Sequence, residues 1–103
     1  MKYTVEISKE AKEDLYMIYR YIAYELLAKE TALHQIERIE KGILSLDEMP
    51  ERHRIYDASK WQDLRMLPVD NYCIFYIVNH NAGKVNIARV LYGKRDFDTV
   101  FGE

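Results

Sequence analysis

The sequence predicts an α+β fold in which a two-helix hairpin packs on one face of a mainly antiparallel four-stranded sheet. A period-two segment opens the chain, two amphipathic helical stripes follow, and three strand-like segments lie close together in the last third. Strands that are so close in sequence are expected to form an antiparallel meander, and the two apolar stripes need a sheet face to cover. We therefore expect the order β-α-α-β-β-β in a single domain, 1–103.

The N-terminal segment predicts a half-buried strand and then a helix. Tyr3, Val5 and Ile7 alternate with polar residues at the period of a strand. Ser8 then occupies an N-cap position, where its hydroxyl can accept a backbone hydrogen bond. The apolar stripe of this first helix consists of Ala11, Leu15, Ile18, Ile22 and Leu26.

A short break at 28–30 separates the first helix from a second, for which Thr31 is the expected cap. Gly42 lies inside this second helix at a cost of roughly 1 kcal/mol. We expect close approach to the first helix to be the reason, and Pro50 to end the helix. The second stripe consists of Ala32, Ile36, Ile39, Ile43 and Leu46.

The remaining elements are a polar loop over 51–62, with Trp61 against the core, and three strands. The segment 72–78 is apolar on both faces, which predicts a central strand covered on both sides. Gly93 breaks the last strand, and one helical turn is expected within 96–101. The expected strands are 64–69, 72–78 and 85–92.

Composition restricts the possible classes of protein. The chain has 103 residues, 49% hydrophobic and 31% charged, as in an ordinary soluble domain. The net charge of −2 argues against a dedicated nucleic-acid binder, so any phosphate contact would need a local patch. A single cysteine, Cys73, fits a reducing cytoplasm, and we expect no membrane segment, metal or cofactor.

Two cationic positions are the main candidates for function. Lys94 and Arg95 follow the last strand, where Arg95 could hold a phosphate through two hydrogen bonds. The alternative is that Arg95 pairs with a neighbouring acid, Asp96 or Asp98. Strand alternation places Arg65 on the face opposite Leu64 and Met66, and we expect it on an open sheet face close to Arg95.

Further cations have structural alternatives. Arg89 interrupts an apolar row formed by Val85, Ile87 and Leu91, and an inward arginine of this kind usually has a carboxylate partner. A loop cluster contains Arg52, His53, Arg54 and Lys60, offset by Glu51, Asp57 and Asp63. These loop cations are either a binding patch or a solvated loop.

Two patterns carry a resemblance to a known family. They are Ser8-x-x-Ala11-x-x-Asp14-Leu15-x-x-Ile18-x-x-Tyr21-Ile22 and Ile87-x-Arg89-Val90-Leu91-Tyr92-Gly93-x-Arg95-Asp96. With these patterns the chain resembles the RelE/ParE superfamily of bacterial toxins from type II toxin–antitoxin modules. The resemblance implies a cytoplasmic protein that inhibits growth. It also implies a cognate antitoxin, which lays a segment over the hairpin and sheet and which alone contacts operator DNA.

The two branches of this superfamily imply different targets. RelE-like toxins cleave ribosome-bound mRNA, and here Arg65, Lys94 and Arg95 would be catalytic, with His53 or Lys94 as acid or base. ParE-like toxins bind and poison DNA gyrase. Cys73 stands where the nuclease branch has an arginine, and Phe101 stands where it often has a tyrosine, which favours the ParE-like alternative. A degenerate toxin that only binds its antitoxin is the third possibility. The expected target-binding residues are Arg52, Arg54, Arg65, Arg89, Lys94 and Arg95.

Overall fold

The computed structural model describes residues 2–56 and 61–101, and within them a four-stranded sheet in the order β1-β4-β3-β2. β1 pairs with β4 in parallel, whereas the other two pairs are antiparallel. The sheet is therefore mixed but mainly antiparallel, and the predicted α+β fold is confirmed. The strands are β1 (Thr4–Ile7), β2 (Arg65–Val69), β3 (Tyr72–Asn79) and β4 (Lys84–Tyr92).

The helical hairpin begins as predicted and turns back earlier than predicted. Helix α1 (Lys9–Arg20) is capped by the Ser8 hydroxyl, which accepts a hydrogen bond from the Ala11 N–H at 3.0 Å. A π-helical turn (Tyr21–Glu25) extends it to the hairpin tip. Helix α2 (Lys29–Leu44) begins after Ala28, so the predicted cap at Thr31 is wrong. None of the helices in the described ranges is long and apolar enough to cross a membrane.

Helix α2 lies directly on the sheet. A Cβ built on Gly42 would come within 2.9 Å of Val69 Cγ2 and 3.2 Å of Ile74 Cδ1. The expected approach of Gly42 to the first helix is therefore wrong, because strand side chains occupy that space. The chain leaves α2 through a 3₁₀ turn (Ser45–Asp47), and Pro50 starts a second such turn (Pro50–Arg52) instead of ending the helix itself.

Apolar side chains cover both faces of the sheet. The hairpin side is filled from both helices and from alternate strand residues such as Ile74 and Tyr76. The opposite side is filled under a short C-terminal helix, α3 (Phe97–Phe101), so the expectation of a bare face is wrong. β3 is buried on both sides, as its two apolar faces predicted. The second core consists of Leu64, Met66, Cys73, Phe75, Leu91 and Phe101.

A β-bulge changes which residues of β4 face the hairpin. The β3–β4 register shifts between Phe75 and Tyr76, which leaves Ala88 as an extra residue. A bulge of this kind reverses the alternation beyond it. Val90 therefore joins the hairpin-side core and Leu91 the opposite core. The predicted row of Val85, Ile87, Arg89 and Leu91 on one face is wrong for this reason.

Candidate binding groove and cationic turn

Arg65 lies on the hairpin side of the sheet, and its charge is bound within the fold. Its Nη1 donates to the backbone carbonyls of His53 at 2.7 Å and Glu51 at 3.1 Å. Its same-face neighbour Leu67 packs against the hairpin-side core. Arg65 was predicted to stand on a sheet face left open by the helices. That prediction is wrong, because the helical hairpin covers the face on which Arg65 lies.

Arg65 and Arg95 are also at different ends of the strands. Arg65 is opposite Tyr76 in β3, whereas Tyr72, at the other end of β3, is opposite Tyr92, the last residue of β4. Arg95 follows Tyr92 by three residues and so belongs to the Tyr72 end. The structure does not bring the two predicted catalytic arginines together.

Arg89 is held by Asp14 of α1. Its Nε and Nη2 donate to the two carboxylate oxygens at 2.7 and 2.9 Å, and Oδ2 also accepts from the Val90 N–H at 2.9 Å. Both side chains are largely buried, at 25% and 13% exposure. The inward-facing arginine with a carboxylate partner is therefore present, and its charge joins α1 to β4.

Both loop arginines are exposed, but the guanidinium of Arg52 is hydrogen-bonded within the fold. The guanidinium of Arg52 donates to the backbone carbonyls of Ser45, Glu48 and Met49, which closes the end of α2. Arg54 is exposed to solvent. The remaining cation of the predicted cluster, Lys60, and the acid Asp57 lie outside the described residues.

Lys94 and Arg95 form an exposed cationic turn after β4. The Arg95 N–H donates to the Tyr92 carbonyl at 3.0 Å. Within 2–56 and 61–101, neither cation has a carboxylate oxygen within 4.0 Å. The carboxylate of Asp96 instead caps α3 through Thr99, and Asp98 accepts from a tyrosine hydroxyl. Pairing of Arg95 with either acid is therefore not the arrangement seen.

Beside this turn runs an open groove of about 700 Å³ between the hairpin and the end of the sheet. Its walls carry exposed apolar side chains, including Met17 at 60% and Tyr21 at 55% exposure. Sequence reasoning did not identify the groove, although the tyrosines that flank the first stripe were a signal for it. The hairpin wall includes Met17, Ile18, Tyr21, Ile22 and Leu26, and the sheet wall includes Tyr72, Val90, Tyr92 and Arg95.

Comparison with known proteins identifies the family. A family model described as ParE toxin of type II toxin-antitoxin system, parDE, matches residues 5–97. The chain belongs to the ParE toxin family. A search of curated protein sequences finds no match.

Solved structures of other toxins share the fold of this ParE-family chain. The chromosomal ParDE system of Pseudomonas aeruginosa gives a TM-score of 0.74 at 17% identity, covering 88% of this chain and 96% of the other. The RelBE2 toxin–antitoxin complex of Mycobacterium tuberculosis gives 0.63 at 17% identity, with 89% and 92% covered. A mutant of the Escherichia coli toxin RelE in the free state gives 0.64 at 13% identity, with 99% and 95% covered.

Tyr56 and Cys73 at the second core, and Tyr76 in the hairpin-side core, are poorly suited to proton transfer. The Tyr56 hydroxyl donates to Asp98, and this hydrogen bond, with burial, raises the pKa of Tyr56 to about 12. Burial raises the pKa of Tyr76 to about 12, and its hydroxyl donates to the Pro50 carbonyl at 2.6 Å. Burial also raises the pKa of the Cys73 thiol. These groups therefore stay protonated near neutral pH.

His53 is the histidine closest to the bound arginines. Burial, and then the charge of Arg52, lower its pKa below 6.5, so the ring is neutral at pH 7. Its Nε2 is enclosed and has no hydrogen-bond partner in the part of the chain that the structure describes. A substrate would have to displace the surrounding chain to reach this nitrogen.

Proposed function

We propose that this ParE-family toxin inhibits DNA gyrase by binding to it rather than by cutting RNA. The observation that carries the proposal is the closed aromatic core on the sheet face opposite the hairpin. Phe101 is fully buried there, with its ring 4.7 Å from that of Phe75, and Cys73 is buried beside it. Neither residue can stabilise a phosphorane-like transition state or transfer a proton at neutral pH.

The cations available for target contact are fewer than the sequence suggested. We propose Arg54, Lys94 and Arg95, because all three are exposed and, within the described residues, none is paired with a carboxylate. By contrast, Arg52, Arg65 and Arg89 use their guanidiniums to hold the fold together. Their proposed role is to support the target-binding surface, and their replacement would act through stability.

We further propose that a cognate antitoxin occupies the groove. The solved structures with a similar fold include toxin–antitoxin complexes, one of them the archaeal RelE–RelB complex from Pyrococcus horikoshii. An amphipathic segment would fit the groove because Met17, Tyr21 and Leu26 offer apolar contacts. A carboxylate on that segment would pair with Arg95 at the rim. Through Arg95, antitoxin and target would compete for the same turn.

Gyrase supercoiling of relaxed plasmid tests the proposed target. We expect the purified toxin to block supercoiling and to leave linear DNA after detergent and protease treatment. The Arg95→Ala variant should require a concentration about tenfold higher than the parent for the same inhibition, since one charge-assisted contact is lost. Lys84→Ala, at the opposite end of β4 from Lys94, is the matched control and should behave as the parent. A parent toxin that leaves supercoiling unchanged at every ratio contradicts the proposal.

Ribosome-dependent mRNA cleavage is the second candidate, and one observation favours it. The exposed cationic turn of Lys94 and Arg95 could hold a phosphate. If this candidate were correct, Arg95→Ala would abolish codon-positioned cuts on translating ribosomes. Growth arrest on induction would exclude the third alternative, a degenerate toxin that only binds its antitoxin.

A further inference from the structure

A single carboxylate ties the β2–β3 turn to α2. Oδ2 of Asp70 accepts hydrogen bonds from Gln35 Nε2 at 2.9 Å and from Arg38 Nε at 2.7 Å. Gln35 is buried, and Asp70 is the acceptor that satisfies its amide. The hydrogen bonds from Arg38 and Gln35 lower the pKa of Asp70, so the carboxylate is charged at neutral pH.

The backbone at Asp70 would suit a glycine better. Asp70 has a φ of 55° in the two-residue turn between Val69 and Tyr72. Turns of this length favour glycine at a left-handed position, although aspartate tolerates it. The aspartate at position 70 therefore has a conformational cost relative to glycine. What its side chain provides in return is the contact with α2.

The β2–β3 turn also holds the cationic turn, through a backbone hydrogen bond. The Asn71 carbonyl accepts a hydrogen bond from the Gly93 N–H at 2.7 Å. A Cβ on Gly93 would lie 3.1 Å from that oxygen, so the approach is close enough to favour glycine. Lys94 and Arg95 follow directly, and their position depends on this contact.

We propose that Asp70 is a positioning residue for Arg95. It holds the β2–β3 turn to α2, and through Asn71 and Gly93 it sets where Arg95 stands relative to the hairpin wall of the groove. Gln35, Asn71 and Arg95 all line that groove, so the bonds join its two walls. The role given to Arg95 rests on the proposed function, whereas the mechanical link can be measured without it.

Amide hydrogen exchange measured by NMR tests the link. Asp70→Gly keeps a residue suited to positive φ and removes only the contact with α2. We expect the Gly93 amide to exchange about tenfold faster than in the parent, while the central-strand amide of Ile74 changes little. Unchanged exchange at Gly93, or an equal increase at Ile74, would overturn the link. Asp47→Asn, which removes the carboxylate from an exposed pair with Lys2, is the control and should leave Gly93 unchanged.

A double-mutant cycle on gyrase inhibition tests whether the link acts through Arg95. Asp70→Gly should weaken inhibition about as much as Arg95→Ala, roughly tenfold, and the double variant should be no weaker than Arg95→Ala alone. Effects that multiply would show that Asp70 acts elsewhere and would overturn the proposal. If Asp70→Gly does not fold, Asp70→Asn, which keeps an oxygen but loses the charge, takes its place in both experiments. A parent toxin without effect on gyrase refutes the proposed function, and the exchange result then stands on its own.

Discussion

Replacing Arg89 by methionine should destabilise the toxin strongly, because within 2–56 and 61–101 Arg89 is the only cation paired with the largely buried Asp14. The two side chains are 25% and 13% exposed and share hydrogen bonds of 2.7 and 2.9 Å. Arg89→Met keeps the aliphatic length but leaves the Asp14 carboxylate with one donor in the described ranges, the Val90 N–H. Breaking a buried pair in this way costs about 3 kcal/mol, or roughly 15 °C in Tm for a domain of this size.

Urea unfolding followed by far-UV circular dichroism measures this loss. Lys84→Met is the matched control, because Lys84 and Glu6 form an exposed pair at 3.4 Å, worth less than about 1 kcal/mol. A double-mutant cycle combines Arg89→Met with Asp14→Asn. The double variant should lose about 2 kcal/mol less of unfolding free energy than the two single variants lose together. A cost for Arg89→Met no larger than that of the Lys84→Met control would refute the structural role. At a temperature where Arg89→Met is folded, we expect it to inhibit gyrase like the parent.

Three further predictions concern packing, hydrogen bonding and pH. Gly42→Ala should lower the free energy of unfolding in urea by about 1–2 kcal/mol, since the new Cβ would meet Val69 at 2.9 Å. This cost outweighs the gain in helix propensity, and a more stable variant would contradict the packing. Tyr76→Phe should cost about 1 kcal/mol in the same assay, because the Pro50 carbonyl loses a buried donor, and no loss would argue against that bond. Because the pKa of His53 is lowered from 6.5, the unfolded chain binds a proton first as pH falls, so stability is lost below about pH 6.5. His53→Gln should reduce this loss when unfolding at pH 7 and pH 5 is compared, and an identical loss would show that other groups cause it.

The elements of the fold could be predicted from the sequence because their signals are local. The alternation of Tyr3, Val5 and Ile7, the Ser8 cap and the helical stripes each depend on residues a few positions apart. The two apolar faces of β3 likewise predicted cover on both sides. The helix boundary near Thr31 was missed because α2 begins at Lys29 without a side-chain cap.

The arrangement of the site depends on long-range contacts that the sequence does not display. The bulge at Ala88 reverses the faces of β4, and no local pattern marks it. Arg65 was assigned to the correct face relative to Met66, but which face the helices cover follows from the whole topology. The partner of Arg89 is Asp14, 75 positions away, and the sequence could indicate only that a carboxylate was required.

Primer extension on ribosomes translating a defined mRNA tests the central claim most directly, namely that this toxin binds its target without cutting RNA. With the purified toxin in excess, we predict full-length extension products and no toxin-dependent stops, under the same conditions in which gyrase supercoiling is inhibited. Stops at defined codon positions that require the toxin would contradict the account. Their loss in Arg95→Ala would then assign the cleavage to the cationic turn.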